Sequence, residues 1–384
     1  MFHTIDDTLK PCTYLFKFFG TYSLRTNPKQ GDRCSTIGTL WSVFVVIYCI
    51  SHASYGISYR KVNFKSELLT IADFLQICVS FINCAISNLF LVLMRKRMSV
   101  FLEKLNRFDK SFQKVDSNLK EETYRGNKLL VQYLTLLLIV VICLYVWFDS
   151  SLYMKEVSFI LIGDALAYCY PFITGLLIAT QFCVFTNLLK HRFVWINTKL
   201  IEVQQHLNGL HTHEPNSKDS DIIVTLLDNL RRKHDTLCTL GSTLNKVFSL
   251  PLLLTTLQIF IVVIVTSFLH IEDSKPLKDG HSRVLYNVFD VIVILLNCCK
   301  IVAITKTSSR TRDQAKETGS ILHTFQKTSS KLDDFIEFFS IQLMDNDFQF
   351  SACRVFKIDE TLLFSMVSAI STYLLIVIQL QLNE

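Results

Sequence analysis

The stretch VFSLPLLLTTLQIFIVVIVTSFLH, residues 247–270, contains no lysine, arginine, aspartate or glutamate. A helix of about 20 apolar residues crosses the hydrocarbon core of a bilayer, and a soluble core rarely needs an uninterrupted apolar run of this length. The whole chain of 384 residues is 50% apolar and only 19% charged, whereas ordinary soluble domains are about 25% charged. We therefore predict an all-α membrane protein with seven transmembrane helices, at 36–57, 68–94, 129–149, 159–189, 247–270, 284–304 and 360–381.

Lysine and arginine are unevenly distributed among the segments that join the predicted spans. Segments 1–35, 95–128, 190–246 and 305–359 carry 31 of these residues, and the three alternate connections carry 7. Because positively charged loops remain in the cytoplasm, we predict a cytoplasmic N-terminus and an extracellular C-terminus, opposite to a G-protein-coupled receptor. The 39 Lys and Arg stand against 33 Asp and Glu without a long basic block, so no nucleic-acid partner is expected.

The segments predicted to lie outside total 35 residues, against 181 in the cytoplasm, so an external ligand has to enter the membrane bundle. Helical apolar spacing through 226–247 predicts that the fifth span continues inward as one helix. A second apolar stripe predicts a helix that packs either within the chain or against other subunits; its residues are Phe325, Leu332, Ile336, Phe339 and Leu343.

These patterns divide the chain into four parts. We expect a cytoplasmic N-terminal segment at 1–35, and six spans at 36–304 with cytoplasmic helical extensions and an outer ligand pocket. A cytoplasmic helical segment at 305–359 is available for subunit contacts. The pore-lining seventh helix with a short extracellular tail occupies 360–384.

The last predicted span has one polar face. Six residues recur every three or four positions and lie within about 80° of one another on a helical projection: Thr361, Ser365, Ser368, Thr372, Ile376 and Gln379. The opposite face carries Met366, Ile370 and Leu374. Small hydroxyl residues are common where membrane helices pack together, so packing is one interpretation. The long amide of Gln379 favours another, a water-filled path surrounded by several copies of this helix.

Polar and aromatic residues also cluster in the outer halves of the other spans. Asp73, Asp164 and Asp290 lie six or seven residues below the outer ends of their spans, about 10 Å deep. A carboxylate that faces lipid costs about 2.5 to 3.5 kcal/mol, so a cavity or a partner is expected. For a single residue the alternatives are the interfacial aromatic belt or a structural hydrogen bond. Neighbours at similar depth complete a candidate small-molecule pocket: His52, Tyr55, Gln76, Tyr145, Trp147, Tyr168, Tyr170, His270, Tyr286 and Asn287.

Motifs for catalysis are missing from the sequence. It has no nucleophile elbow, Walker loop or His-Glu-x-x-His element, so we expect no enzyme, no metal and no cofactor. Lys300 lies near the inner end of the sixth span, where a lysine can extend its ammonium to water. We therefore assign no function to Lys300 from the sequence.

The last span carries a resemblance to a known family. Residues 372–380 read TYLLIVIQL, which resembles the insect gustatory receptor signature of Thr-Tyr, five apolar residues and Gln-Phe, with Leu380 in place of the usual Phe. Arg354 stands where many relatives have Gly. Further similar positions precede the fifth and seventh spans: Leu230, Arg231, His234, Leu237, Cys238, Leu244, Asn245, Phe248, Ser249, Phe350, Ser351, Ala352, Cys353, Phe356, Ile358, Asp359, Leu362 and Leu363.

The resemblance implies a tastant-gated, non-selective cation channel in the plasma membrane. It would be a homotetramer or a co-assembly with other gustatory receptors, with the last helices around the pore. Gln379 and Leu380 would occupy the positions of the family's pore glutamine and aromatic gate. We expect a bitter or plant-derived tastant. The alternatives are a fructose-type sugar receptor channel of the same family, or a seven-helix receptor that signals through a cytoplasmic partner.

Overall fold

Long helices account for most of the computed structural model. It describes residues 5–22, 24, 35–59, 67–113, 159–210, 217–272, 280–325, 330–345 and 348–382, with six single positions between 132 and 143. Apart from those positions, the third predicted span lies outside the described residues. The described helices are α1 (Ile5–Phe18), α2 (Thr36–Tyr59), α3 (Glu67–Leu93), α4 (Arg95–Gln113), α5 (Phe159–Leu210), α6 (Ser217–Glu272), α7 (Gly280–Leu322), α8 (Ser330–Asp345) and α9 (Glu360–Leu382).

Three helices are much longer than a bilayer is thick. Helices α5, α6 and α7 contain 52, 56 and 43 residues, or about 78, 84 and 65 Å at 1.5 Å per residue, against about 30 Å of hydrocarbon core. Each must therefore continue beyond the membrane, as the apolar spacing predicted for the fifth span. In the part of the chain that the structure describes, five helices are long and apolar enough to span a bilayer, namely α3, α5, α6, α7 and α9, and α2 contains a shorter apolar run.

Helix α5 is the centre of the bundle and contacts α2, α3, α6 and α7. Its Phe182 and Phe185 are fully buried and pack against Phe248 of α6, with the ring centroids of Phe182 and Phe248 5.8 Å apart. Further along α5, the Oδ1 atom of Asn197 accepts a 2.7 Å hydrogen bond from the hydroxyl of Thr318 on α7. Aromatic packing and buried polar pairs therefore hold the three longest helices side by side.

The N-terminal segment is docked on the bundle. The carbonyl of Phe18 accepts a 2.9 Å hydrogen bond from the indole of Trp41 on α2, and the carbonyl of Phe19 accepts one of 2.9 Å from the hydroxyl of Tyr170 on α5. Thr21 binds the buried amide of Gln181 through its hydroxyl at 2.6 Å. These contacts connect the segment to α2 and α5.

A short hairpin between α8 and α9 departs from the helical prediction for 305–359. Strands β1 (Ser351–Ala352) and β2 (Phe356–Lys357) pair antiparallel. The turn residues Cys353 and Arg354 have φ angles of 51° and 60°. This left-handed region favours glycine over residues with a Cβ, which gives a physical reason for the glycine that the resemblance implies at Arg354.

Helix α6 holds the hairpin in place through side chains about 100 positions earlier in the chain. Asn245 accepts a 3.1 Å hydrogen bond from the backbone N–H of Ser351, and Ser249 accepts one of 2.7 Å from that of Cys353. The last helix, α9, begins directly after this hairpin. The hairpin therefore connects the start of α9 to the central bundle.

Replacing Gly241 with Ala should detach this region from α6. A Cβ at Gly241 would overlap the ring of Phe348, which is buried and lies 5.0 Å from the ring of Phe350. Overpacking of this kind costs about 1 to 3 kcal/mol. We expect a thermal unfolding midpoint several degrees lower for the detergent-solubilised protein, measured by fluorescence-detected size exclusion after heating.

Gly319 of α7 provides the matched control. Its added Cβ would lie 3.8 Å from Leu343, an ordinary van der Waals distance, so Gly319→Ala should be neutral or stabilising because Ala is the better helix former. Phe348→Leu should recover part of the loss in the Gly241→Ala background. Equal midpoints for the two alanine variants would contradict the predicted overlap.

Candidate ligand cavity and pore helix

A small cavity lies inside the bundle between α3, α5, α6 and α7. Its volume is about 40 Å³, far below the roughly 300 to 1,000 Å³ of pockets that hold drug-sized ligands. A tastant would therefore have to displace side chains to fit. The cavity combines apolar walls with a few amides and a hydroxyl, the composition typical of small-molecule sites, and is lined by Gln76, Ile77, Ser80, Phe81, Pro171, Phe172, Gln258, Val262, Val293 and Asn297.

A chain of buried hydrogen bonds lies at one side of the cavity. The hydroxyl of Ser87 donates to Oδ1 of Asn83 at 2.8 Å, and Nδ2 of Asn83 donates to Oε1 of Gln258 at 2.5 Å. All three side chains are buried. Amides at membrane depth are costly unless they are paired, so this network fixes the orientation of Gln258 between α3 and α6.

Lys300 lies next to this network, and the expectation that it extends to water is wrong. Its side chain is only 4% exposed, and its Nζ atom is buried without a hydrogen-bond partner among the described residues. The ammonium lies 5.6 Å from the ring centroid of Phe172. Neighbouring helices enclose the side chain, so it lacks the route to water that a lysine on an isolated span would have.

The structure places three residues of the predicted outer pocket near the cavity. Gln76 lines it, with its Oε1 atom buried and unpaired among the described residues. His270 of α6 and Asp290 of α7 lie 3.7 Å apart, Nδ1 to Oδ2, so this carboxylate faces a histidine. Asp290 is one turn from Val293, which lines the cavity, so the pair lies just beyond the cavity.

Tyr170 does not belong to the cavity. It packs with Cys84 and hydrogen-bonds the N-terminal segment, while Pro171 and Phe172 next to it line the cavity instead. Asn287 of α7 is half-buried and does not line the cavity. The other predicted pocket side chains lie outside those that the structure describes: His52, Tyr55, Asp73, Tyr145, Trp147, Asp164, Tyr168 and Tyr286.

Helix α9 packs on its own bundle through one face. Met366 is buried in a cluster with Ile259 and Val263 of α6 and Ile301 of α7, and Ile370 packs against the same cluster. Six residues predicted to form one stripe are exposed: Thr361, Ser365, Ser368, Thr372, Ile376 and Gln379. Only 6% of the residues in the apolar window of this helix are buried, against 78% in α5. The side chain of Leu380 lies outside the described residues.

Two hydroxyls of the stripe already donate their hydrogens within the helix. Ser365 donates to the carbonyl of Thr361, and Thr372 to that of Ser368, both at 3.0 Å. Each hydroxyl oxygen keeps its acceptor capacity. The exposed face of α9 therefore presents acceptor oxygens to its surroundings.

Asp359 caps the start of α9, just before the predicted span. Its Oδ1 atom accepts hydrogen bonds from the hydroxyl of Thr361 at 2.5 Å and from the backbone N–H of Thr361 at 3.0 Å, and Oδ2 lies 3.4 Å from Arg312. The Thr361 hydroxyl contributes most to lowering the pKa of Asp359, the Thr361 backbone N–H and Arg312 add to the effect, and burial opposes it. Asp359 is therefore a charged N-cap.

Comparison with known proteins identifies the family. The model of the 7tm chemosensory receptor family matches residues 9–384. The chain belongs to this family. The receptor is 24% identical to gustatory receptor 28b of Drosophila melanogaster over 371 residues, 89% of this chain and 77% of that one. It is also 29% identical to the gustatory receptor for bitter taste 66a over 176 residues, 44% of this chain and 33% of that one.

Solved structures share the receptor's fold. The insect olfactory receptor OR5 from Machilis hrabei matches with a TM-score of 0.72 at 11% identity, over 97% of both chains. The same protein in complex with eugenol matches with a TM-score of 0.67 at 12% identity. The receptor is therefore an all-helical, multi-pass membrane protein, and its family is one of chemosensory receptors, not of enzymes.

Sequence reasoning missed the polar residues at the inner side of the cavity. Asn83, Gln258 and Lys300 all lie within predicted spans, where a polar side chain is itself a signal of function. The predicted pocket consisted of polar and aromatic residues of the outer halves, so it did not include Asn83 or Gln258, and Lys300 was assigned no function. The signal in the sequence was the position of these polar residues inside long apolar runs.

Proposed function

We propose that the receptor is a tastant-gated cation channel of the plasma membrane, in which several subunits surround a pore lined by α9. The observation that carries this proposal is the orientation of α9. Its apolar back packs on α6 and α7, and its polar stripe is left outside its own subunit. Hydroxyls and amides at membrane depth are favourable only against water or other polar groups.

A ring of identical subunits would place the polar stripe against water and other polar groups. In a homotetramer, or a co-assembly with related receptors, the stripes of adjacent copies would face a shared axis. The exposed apolar residues beside the stripe would then contact neighbouring subunits or lipid; Phe364 and Val367, for example, are 77% and 64% exposed. Such a pore is enclosed only by assembly, because one helix cannot surround a water path.

The stripe supports passage of cations with little discrimination among them. Ser365 and Thr372 have committed their hydroxyl hydrogens to backbone carbonyls, so they offer acceptor oxygens to a passing ion. Asp359 adds a carboxylate at the predicted cytoplasmic end of α9. Neutral oxygens stabilise cations, but without a ring of charge they select weakly between them.

The tastant would bind in the cavity between α3, α5, α6 and α7. Two findings support a small organic ligand with an aromatic part, of bitter or plant-derived type: the aromatic and amide lining, and the similarity to a bitter-taste receptor and to an olfactory receptor solved with eugenol. Entry of such a ligand would move Phe172 or Gln258, and these belong to helices that pack against α7 and α9. This contact gives a path from the cavity to the pore.

The experiment is to express this chain alone in cells and to record calcium influx and whole-cell current during application of a tastant panel that includes eugenol, bitter alkaloids and fructose. We expect a current that reverses near 0 mV, as for a poorly selective cation pore, and that requires one of the bitter or phenolic compounds. A response to fructose alone would favour the sugar-receptor alternative. Surface-expressed receptor without ligand-evoked current, alone or with a related receptor, would overturn the channel proposal.

A further inference from the structure

Lys300 places an ammonium group inside the predicted membrane region without a hydrogen-bond acceptor among the described residues. Burial of an unpaired ammonium is unfavourable, and a counter-ion or acceptor oxygens stabilise the charged form. The ring of Phe172, 5.6 Å from Nζ, offers a cation–π contact but supplies neither. Among the residues that the structure describes, no anion therefore compensates this charge.

The carboxylate of Asp290 is too distant to compensate it. Asp290 precedes Lys300 by ten residues on α7, about 15 Å along the helix, and lies 3.7 Å from His270.

Gly175 leaves space between the ammonium and the cavity wall. A Cβ at this position would lie 3.2 Å from Oε1 of Gln258, 3.6 Å from Nζ of Lys300 and 3.9 Å from Nδ2 of Asn83. The three polar atoms therefore lie around the Cα atom of Gly175 on α5. A larger side chain at this position would occupy the space beside them. Glycine therefore leaves Lys300 close to Gln258, which lines the cavity.

Gln258 adds a second donor on the same side of the cavity. Its Oε1 atom accepts a hydrogen bond from Nδ2 of Asn83. The hydrogens on its Nε2 atom point in another direction and donate to no described residue. An ammonium and an amide N–H₂ together form a donor-only pair, while an ionised carboxylate is acceptor-only with two oxygens. Hydrogen bonds between an ammonium and a carboxylate are among the strong ones in proteins.

We propose that Lys300 and Gln258 form the inner end of the tastant site and bind the carboxylate of a small aromatic acid, whose ring packs against Phe172 and Phe81. This inference rests on the proposed function, since it specifies the ligand class of the same cavity. The carboxylate supplies a counter-ion for Lys300, which has none among the described residues. The methyl esters of such acids carry no charge, and their alkoxy oxygen is a poor acceptor, so they bind more weakly.

The test uses purified full-length receptor in detergent and matched probes: benzoate, salicylate and cinnamate, each with its methyl ester. Binding is measured as ligand-induced thermal stabilisation, which needs no channel current. We expect the acids to stabilise the wild type at concentrations about tenfold or more below their esters, and Lys300→Met to remove this preference. Lys306→Met, which changes an exposed lysine on the same helix, should retain it.

Unliganded stability separates this role from a structural one. Lys300→Met should be at least as thermally stable as the wild type, because an unpaired buried charge is removed, and Gly175→Ala should lower acid binding by filling the space beside Nζ. A destabilised Lys300→Met variant, unchanged acid binding in it, or no preference for acids over esters in the wild type would each overturn the proposal. Acid-selective stabilisation without any current would leave this proposal standing and count against the channel.

Discussion

Asp109→Ala should remove most of the folded receptor from the cell surface. The carboxylate of Asp109 on α4 makes two hydrogen bonds to the guanidinium of Arg192 on α5, at 2.9 and 2.7 Å, and Arg192 also donates to the carbonyl of Leu188. Both side chains are buried. Removing one member of a buried ion pair costs about 3 to 5 kcal/mol, because the other buried charge loses that partner, and a typical domain is stable by only about 5 to 15 kcal/mol.

Surface biotinylation and fluorescence-detected size exclusion measure this loss. The control is Glu103→Ala, which breaks an exposed pair with Arg107 on the same helix and should leave both readouts unchanged, because such pairs contribute little. The double variant with Leu at 109 and Met at 192 should recover much of the surface level, since it removes both charges together. Equal losses of surface receptor in Asp109→Ala and Glu103→Ala would contradict the prediction that the buried pair contributes more to stability than the exposed pair.

The features that sequence reasoning predicted depend on long or regular patterns. Apolar runs of about 20 residues identify spans because the thickness of the bilayer is fixed, and the match over residues 9–384 to the 7tm chemosensory receptor family is consistent with seven of them. The separation of Ser368 and Thr372 from Met366 and Ile370 follows from the helical repeat alone. Whether the polar face lines water depends on other subunits, which a single chain does not contain.

The features that sequence reasoning missed depend on neighbours distant in the chain. Lys300 is near the end of its span by position, yet α5 and α6 enclose it. The hairpin at Ser351–Ala352 and Phe356–Lys357 is too short to show strand periodicity, and Asn245 and Ser249 of α6 stabilise it. Tyr170 looks like a pocket aromatic, but one helical step decides whether a side chain meets the cavity or the N-terminal segment.

Cysteines placed at Ser368 and Thr372 should react with a small charged thiol reagent during tastant application, and the modification should block most of the current. Both positions are exposed on the face of α9 that does not contact α6 or α7. In a pore they would meet water, where thiols ionise and react. The measurement is the loss of tastant-evoked current over time in whole-cell recordings with the reagent applied.

The control positions are Met366 and Ile370 on the opposite face of the same helix. Met366 is buried and Ile370 half-buried against Ile259, Val263 and Ile301, so cysteines there are shielded from the reagent and stay protonated. We expect modification at least about tenfold slower than at the stripe positions, with normal surface expression. The comparison is internal, because adjacent positions share depth and reagent access and differ only in the direction that the helix gives them. Equal rates on both faces, or no reaction on either, would mean that the polar stripe is a packing surface and that ions do not pass along α9.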